Sequence, residues 1–334
     1  MLILGTNLTQ DRIVRLATLV PGAVLRAVTV DTVPGGKPVN VARAARALGG
    51  RPTLVANCTG VEGARLADLL TEGGLAVVAV RTAGTLRTAT IVLEGDGRTT
   101  VINEPGPPLD DAGRTAFLDA YVDTLADQRP QVVVASGSLP PGAPADLYAD
   151  VVRLAAEHGA VAVVDAGGPV LAAALRAGPT LVKPNLAEAE SVLRALAGPG
   201  SGPGVTDAVE EVDESGGDVP GRCAAAAEAL VDAGARAALV SGGRSGAALH
   251  TGDWSWWFTA PLVTVVNPVG AGDAMVAGVA VALERGEPLP AAVRYGVATA
   301  ADSVRRPGPA DVEPDAVAAL LEAVRIPSGA EVTS

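Results

Sequence analysis

Residues 267–278 read NPVGAGDAMVAG, and within them Gly270, Ala271, Gly272 and Asp273 put two glycines and an acid where an apolar, helix-like run begins. Glycine lets a backbone approach a ligand closely and adopt unusual φ values. The N–H groups at a helix start are freed from intrahelical bonding, and with the helix dipole they form an anion site. A carboxylate beside such a site is badly placed to hold the anion. It is well placed to take a proton from a hydroxyl that attacks the anion, which is the logic of phosphoryl transfer: two oxygens held in line, and the charge between them stabilised. On these four residues alone a plainer reading stands beside it, with Asp273 an early-turn acid complementing the dipole and the glycines merely forming the turn.

Around the turn, short apolar strands alternate with helical runs. Strand-like stretches cover 2–4, 11–16 and 24–33, the last broken by Pro34, Gly35 and Gly36, and a helix over 39–48 ends at Gly49 and Gly50. Stretch 53–57 precedes a helix around 63–70, 132–136 precedes 144–157, and 161–165 and 180–185 each feed another helix. Stretch 263–266 reads as the strand that delivers the turn, with a helix over 274–283 after it. This rhythm indicates a parallel sheet covered on both faces, with ligands at the carboxyl ends of its strands. Two hairpins interrupt it. One joins 86–94 to 99–103 around Gly95, Asp96 and Gly97, and with 11–16 and 24–33 it makes a small separate sheet; the other joins 246–250 to 254–259. Segment 198–222 carries Pro, Gly, Ser and six acids without a core pattern, and reads as a mobile surface insertion.

Composition narrows the function classes. Apolar residues form 49% of the 334-residue chain and aromatics only 2%, so the core must be built from Ala, Val and Leu. The 25 Lys and Arg against 37 Asp and Glu give a net charge of −12, which argues against nucleic-acid partners. Cys58 and Cys223 lie far apart without metal-ligand spacing, and His158 and His250 have no Ser or Cys partner in a motif, so a hydrolase triad is unsupported. No G-x-G-x-x-G follows a strand and no G-x-x-x-x-G-K-[ST] occurs, which removes the main support for a Rossmann or P-loop enzyme. The first residues lack a basic signal-peptide region and no apolar run reaches membrane length, so a soluble cytoplasmic protein with no membrane partner is expected.

Five motifs in order make the four-residue reading specific. Segment 267–278 resembles the C-terminal signature of the PfkB/ribokinase superfamily of carbohydrate kinases, and GGKPVNVA (35–42) with 43–49 after it is similar to the N-terminal one. Between them lie SGSLPPG (136–142), KPNLAE (183–188) and VSGG (240–243), each in the family's order. The resemblance runs nearly the whole chain. It implies one kinase domain over 1–334: an α/β, ribokinase-like, three-layer, doubly wound and mostly parallel sheet, with a small β-sheet lid drawn from 11–34 and 86–104.

The resemblance also implies roles. Asp273 matches the catalytic base, and Gly270, Ala271 and Gly272 match the anion hole for the transferring phosphate. Asn185 and Glu188 match the pair that helps hold Mg²⁺ through water, and Lys183, Ser241, Gly243 and Gly246 match the side that receives ATP. Without the motif, Lys183 reads as a solvent-facing strand-end charge. Gly35, Gly36 and Asn40 match contacts to sugar hydroxyls, and Asp11 matches the acid that accepts hydrogen bonds from the sugar. ATP and Mg²⁺ are thus the implied cofactors. Lid closure would exclude water as a competing acceptor, and a homodimer through the lid is the implied assembly.

On the sugar side, Asn7 four residues before Asp11, SGSLPPG, NEPGP (103–107) and DAMVAG (273–278) resemble the 1-phosphofructokinase and tagatose-6-phosphate kinase branch. A substrate phosphate needs cations at the far end of the pocket; Arg26, Lys37 and Arg87 are the candidates, with Ser138 as a hydroxyl donor. Three departures cluster here: Leu8, Thr9 and Gln10 replace the branch's Pro-Ala-Leu, Pro38 replaces a Gly, and Leu86 replaces the Thr before Arg87. Pro38 removes a backbone donor and fixes φ. The expected reaction is transfer of the γ-phosphate of Mg·ATP to a phosphorylated ketohexose, fructose 1-phosphate first. The alternatives are a kinase of an unphosphorylated sugar or nucleoside, and a sugar-phosphate-binding regulatory protein whose catalysis has decayed. Trp254, Trp256, Trp257 and Phe258 read as hairpin packing, with an oligomer contact or an adenine-adjacent wall as the other reading.

Overall fold

The computed structural model describes residues 1–198 and 217–326. In chain order its strands are β1 (Leu2–Gly5), β2 (Thr9–Leu16), β3 (Thr29–Gly35), β4 (Thr53–Thr59), β5 (Ala76–Thr82), β6 (Arg87–Glu94), β7 (Thr99–Asn103), β8 (Val132–Ser136), β9 (Val161–Asp165), β10 (Leu181–Val182), β11 (Ala237–Ser241), β12 (Gly246–Thr251) and β13 (Trp254–Thr259). The helices are α1 (Lys37–Ala47), α2 (Gly60–Glu72), α3 (Asp111–Gln128), α4 (Leu147–Glu157), α5 (Gly168–Leu175), α6 (Leu186–Leu196), α7 (Val219–Asp232), α8 (Ala271–Glu284), α9 (Leu289–Ser303) and α10 (Pro314–Leu321).

Nine strands form the main sheet in the order β13-β12-β11-β10-β9-β8-β1-β4-β5. It is parallel from β11 to β5, and the β12–β13 hairpin adds an antiparallel edge. Its strands are apolar at nearly every position, as burial on both faces requires. Alternation within each strand then divides the core. Ile3, Leu54, Val134 and Leu239 face a layer containing α1, α2, α8, α9 and α10. Leu2, Leu4, Val133 and Val240 face a layer of α3 to α7. With so few aromatics, the layers close through small residues: a Cβ on Gly278 of α8 would come within 2.9 Å of the Gly296 Cα of α9. This is a ribokinase-like α/β fold with a large, mostly parallel sheet between helical layers.

The second sheet has four strands in the order β3-β2-β6-β7, with β2 and β6 parallel and the outer pairs antiparallel. One face packs Ile13, Ile91 and Leu93 with Val33 and Val269, a small core of its own.

Several boundaries differ from the expectation. The strand read over 24–33 begins at Thr29, whose partner Arg15 is near the end of β2; residues 21–28 lie exposed before it, Val24 at 95%. Segment 263–266 forms no strand, because its backbone is held elsewhere: the Val266 and Asn267 N–H groups both donate to the Val304 carbonyl at 2.7 and 3.1 Å. In 180–185 only Leu181 and Val182 join the ladder, since Pro184 offers no N–H, and contact with the neighbouring strand resumes at the Asn185–Ser241 bridge. The helix read over 144–157 starts at Leu147. Strand β5 and helices α3, α7, α9 and α10 lie outside the expectation. The insertion read over 198–222 ends before α7, which Asp218 caps by accepting from the Gly221 N–H, and Val219 is buried; the reading of 199–216 lies outside the described residues.

Candidate active site

The carboxyl ends of β8, β9, β10 and β11 and the N-termini of α1, α6 and α8 meet at one edge of the main sheet. In a doubly wound sheet this edge is where ligands bind. Gly270, at φ 82°, is the N-cap of α8 and turns the chain into the helix. Only glycine fits: a Cβ there would lie 2.6 Å from the Ala310 nitrogen, besides straining the backbone. The Ala271 N–H donates to the Pro268 carbonyl at 3.3 Å and the Ala274 N–H to Gly270 at 2.9 Å. Between them lie the Gly272 and Asp273 N–H groups, two of the donors that a helix start leaves for an anion.

Asp273 is buried at 5% exposure, and its Oδ2 accepts from Asn40 Nδ2 at 2.8 Å. Burial pushes its carboxyl up to about 7, helped by the nearby charge of Asp165 and opposed by Lys37, the Asn40 hydrogen bond and Lys183. A carboxyl at that value exchanges protons near neutrality, as a general base should.

Asp165 closes β9 and is the residue that sequence reading passed over. It is almost fully buried, receives the Ser136 hydroxyl at 3.2 Å, and lies 3.4 Å from Lys183 Nζ and 3.8 Å from Lys37 Nζ. Burial alone would raise its carboxyl, but Lys183, then Lys37 and the Ser136 hydroxyl outweigh it and hold the group below its ordinary range. The available signal was its place, an acid at the carboxyl end of a parallel strand. Lys183 is buried, not solvent-facing, and its Nζ would sit 3.2 Å from a Cβ added at Gly272, so it reaches the anion turn.

Asn185 and Glu188 form a capping box on α6. Asn185 Oδ1 accepts from the Glu188 N–H and Glu188 Oε2 from the Asn185 N–H, both at 2.8 Å. Glu188 Oε1 is left outside the box, 3.5 Å from Lys37 Nζ. Among the described residues no group of three or more His, Cys, Asp or Glu side chains is arranged to hold a metal. Asp165 Oδ1 is buried and is the oxygen that faces both Lys183 and Lys37. These donors fit a hydrated Mg²⁺ completed by water and phosphate oxygens, and do not fit a cage made by protein alone.

Asp11, on β2, faces the cleft from the second sheet. Its carboxyl rises to about 6 through burial, against Arg87, a hydrogen bond from Gly36 and Arg43. A Cβ on Gly35 would overlap that carboxyl, so β3 can pass it only as glycine. Gly36, at φ 95°, caps α1. Asp11 Oδ1 and Asn40 Oδ1 are both buried without a hydrogen-bond partner, as acceptors awaiting a hydroxylated ligand would be.

The three expected phosphate anchors have different partners. Lys37 lies with Asp165 and Glu188 on the catalytic side. Arg87 donates to the Asn7 carbonyl from Nε and Nη2 and to the Glu104 carbonyl from Nη1. Arg26 is exposed in the loop between β2 and β3. Ser138 is exposed, and its Oγ accepts from Asn7 Nδ2 at 3.1 Å. On the other flank, Ser241 ends β11, Gly243 is exposed at φ 57°, and Gly246 is buried where β12 starts. Trp256 packs on one face of the main sheet and Trp257 on the other, with Phe258 fully buried, while Trp254 is 40% exposed.

The family model described as pfkB family carbohydrate kinase matches residues 7–316. A 1-phosphofructokinase of Rhodobacter capsulatus is 33% identical over 326 residues, covering 96% of this chain and 95% of that protein. An ATP-dependent 6-phosphofructokinase isozyme 2 of Mycobacterium tuberculosis is 33% identical over 297 residues, 88% of this chain and 81% of the relative. The structure of Escherichia coli phosphofructokinase-2 in complex with fructose-6-phosphate superposes with a TM-score of 0.80 at 25% identity, covering 97% of this chain and 98% of the other.

Proposed function

Because the chain belongs to the PfkB family of carbohydrate kinases and is thus an ATP-dependent sugar kinase, we propose that it transfers the γ-phosphoryl group of ATP to a hydroxyl of a phosphorylated ketohexose, fructose 1-phosphate first. The observation that carries the reading is the 2.8 Å hydrogen bond from Asn40 to Asp273, which ties a buried carboxyl of neutral pKa at a helix N-terminus to the helix that faces the sugar. Asp273 takes the proton of the attacking hydroxyl as its oxygen bonds to the γ-phosphorus and the bond to ADP breaks. The Gly272 and Asp273 amides with Lys183 stabilise the charge on the transferring group. Asp11 and Asn40 orient the sugar, and the four-stranded sheet closes over it to exclude water. Mg²⁺, held by Glu188 and Asp165 through water, would offset the charge of the nucleotide phosphates.

A second reading stays in play because of the basic residues. Lys37 is drawn to Asp165 and Glu188, and Arg87 is spent on backbone carbonyls, which favours an unphosphorylated sugar or nucleoside. We further infer a homodimer through the second sheet. Its outer face carries Val30 at 46% exposure beside half-buried Val14, and Ile102 at 61% opposite Thr90, while Val92 on the same face is already buried.

The deciding experiment is coupled ADP release with Mg·ATP against fructose 1-phosphate, fructose 6-phosphate, tagatose 6-phosphate, fructose, ribose and adenosine. Turnover on fructose 1-phosphate well above the rest is expected. Turnover confined to an unphosphorylated acceptor would overturn the substrate and establish the second reading.

A further inference from the structure

The anion turn does not hold itself in place. Val266 and Asn267 hang by their N–H groups from the carbonyl of Val304, the C-cap of α9. The Asn267 side chain donates from Nδ2 to the Pro307 carbonyl at 3.0 Å and accepts at Oδ1 from the Val269 N–H at 3.0 Å. Ala310, buried at φ 53°, presses against Gly270 so closely that a Cβ on the glycine would meet its nitrogen at 2.6 Å. Asp311 of the same segment pairs with Arg43 of α1 at 3.1 Å, one turn from Asn40. The loop after α9 therefore touches both the turn and the helix whose Asn40 bonds to Asp273.

What fixes that loop is Asp302. Its side chain is fully buried at the last turn of α9. Oδ2 accepts from Arg306 Nε at 3.0 Å and from the Glu313 N–H at 2.8 Å, and Oδ1 accepts from Arg306 Nη2 at 3.3 Å. Arg306 Nη2 also donates to Glu313 Oε2 at 2.9 Å, and Arg305 Nη1 lies 3.5 Å from Asp302 Oδ1. One buried carboxylate thus clasps the beginning and end of the 303–313 loop, and charge-assisted bonds to it fix geometry more firmly than neutral ones. The close packing of α8 on α9 at Gly278 and Gly296 sets the two helices against each other, so the clasp acts on a defined frame.

We propose that Asp302, through its clasp with Arg306 and Glu313, is a positioning residue for phosphoryl transfer: it holds the 303–313 loop against Gly270 so that the anion turn keeps its catalytic geometry. The inference rests on the reading of that turn as the phosphoryl site. A displacement of about 1 Å in a catalytic constellation can cost ~10²-fold in rate, and a loop released from Gly270 would shift the turn directly, while it reaches Asp11 only through Arg43.

The test compares Asp302→Ala, Asp302→Asn, Arg306→Ala and Asp273→Asn for kcat, sugar KM and thermal midpoint, using the best acceptor from the substrate panel at a temperature where each variant is folded by circular dichroism. Asp302→Ala should lose ~10- to 100-fold in kcat, with sugar KM changed by no more than about 3-fold. Asp302→Asn, which keeps an acceptor for the Glu313 N–H, should recover much of the loss. Arg306→Ala removes only the half-exposed partner, so it tests the clasp even if Asp302→Ala does not fold. Normal kcat in Arg306→Ala and in folded Asp302→Ala would overturn the proposal, and so would a loss that appears only in sugar KM. If those variants are normal while Asp273→Asn is inactive, the brace alone fails. If Asp273→Asn retains full turnover, the reading of the turn itself falls, and the brace with it.

Discussion

Asp273 and Asp11 are both buried carboxylates whose pKa values rise chiefly through desolvation, to about 7 and about 6, yet their surroundings differ. Asp273 sits where α1, α8 and the ends of β9 and β10 converge, and Asp165, Lys37, Lys183 and Asn40 all act on it. Its helix belongs to the larger of the two cores that flank the main sheet. Asp11 sits on a four-stranded sheet whose inner face forms a small cluster of Ile13, Ile91 and Leu93, with Val33 and Val269 packed against them and Ala89 buried beside Asp11. Val269 comes from the anion turn, so the lid completes its core with a residue of the floor. The catalytic floor is set by burial on both faces of a large sheet. The lid is set by few contacts, one of which is the floor itself. Under the proposed function, chemistry falls to the half with the large core and substrate selection to the half with the small one.

The comparison breaks most sharply at Asp273. Asp273→Asn keeps the shape and the Asn40 neighbourhood but removes the base. We expect kcat to fall by ~10²–10⁴ while ATP affinity, measured by calorimetric titration, stays near that of the parent. Turnover near the parent's would mean that the buried carboxylate is structural and that the proton leaves by another route.

Much of this division was legible in the sequence, for physical reasons that differ from place to place. The turn at Gly270, the cap at Gly36 and the capping box of Asn185 and Glu188 are written in local residue types, because φ and hydrogen-bond demands act over a few residues. Strands β1, β4, β8 and β9 announce themselves as apolar runs between polar turns. What escaped was decided by distant partners. The alternation of 263–266 resembles a strand, but the carbonyl of Val304, near the end of the chain, takes its backbone. Lys37 and Arg87 read as phosphate anchors because they are basic and near the right motifs. Whether a cation is free or already paired depends on Asp165, Glu188 and the Asn7 and Glu104 carbonyls, which no local pattern reveals.

A smaller effect would sharpen the comparison at the hydrogen bond between α8 and α1, the helix that follows β3 of the second sheet. The Asn40 hydrogen bond stabilises the charged form of Asp273 and so lowers its pKa against the burial that raises it. A base must be unprotonated to act, so kcat/KM of the parent should rise with pH through about 7 on its acidic limb, which reports the free enzyme. In Asn40→Ala that limb should move to higher pH, whatever the height of the plateau. The check is a kcat/KM–pH profile for the sugar. A limb that stays in place in the variant would show that Asn40 does not govern the proton affinity of the base, and that floor and sugar helix are less tightly joined than the geometry implies.

The mildest change tests whether the lid gains support from a second copy of itself. Val30 is 46% exposed on the outer face of the second sheet, beside Val14 and Val92 by register. Surface substitutions away from special features change stability by no more than about 0.5 kcal/mol, so Val30→Asp should scarcely alter the fold of a single chain. A charge placed in an apolar interface would leave two unpaired carboxylates in a two-fold dimer, and the pair should separate. Sedimentation velocity of parent and variant at equal concentration is the measurement, with a dimeric parent and a monomeric Val30→Asp expected. If the lid relies on its partner for rigidity, the monomer should also show a raised sugar KM with an unchanged ATP KM, since the floor does not depend on that face. A variant that remains dimeric would move the interface elsewhere, and a parent that is monomeric would leave the lid to its own small core around Ile13, Ile91 and Leu93.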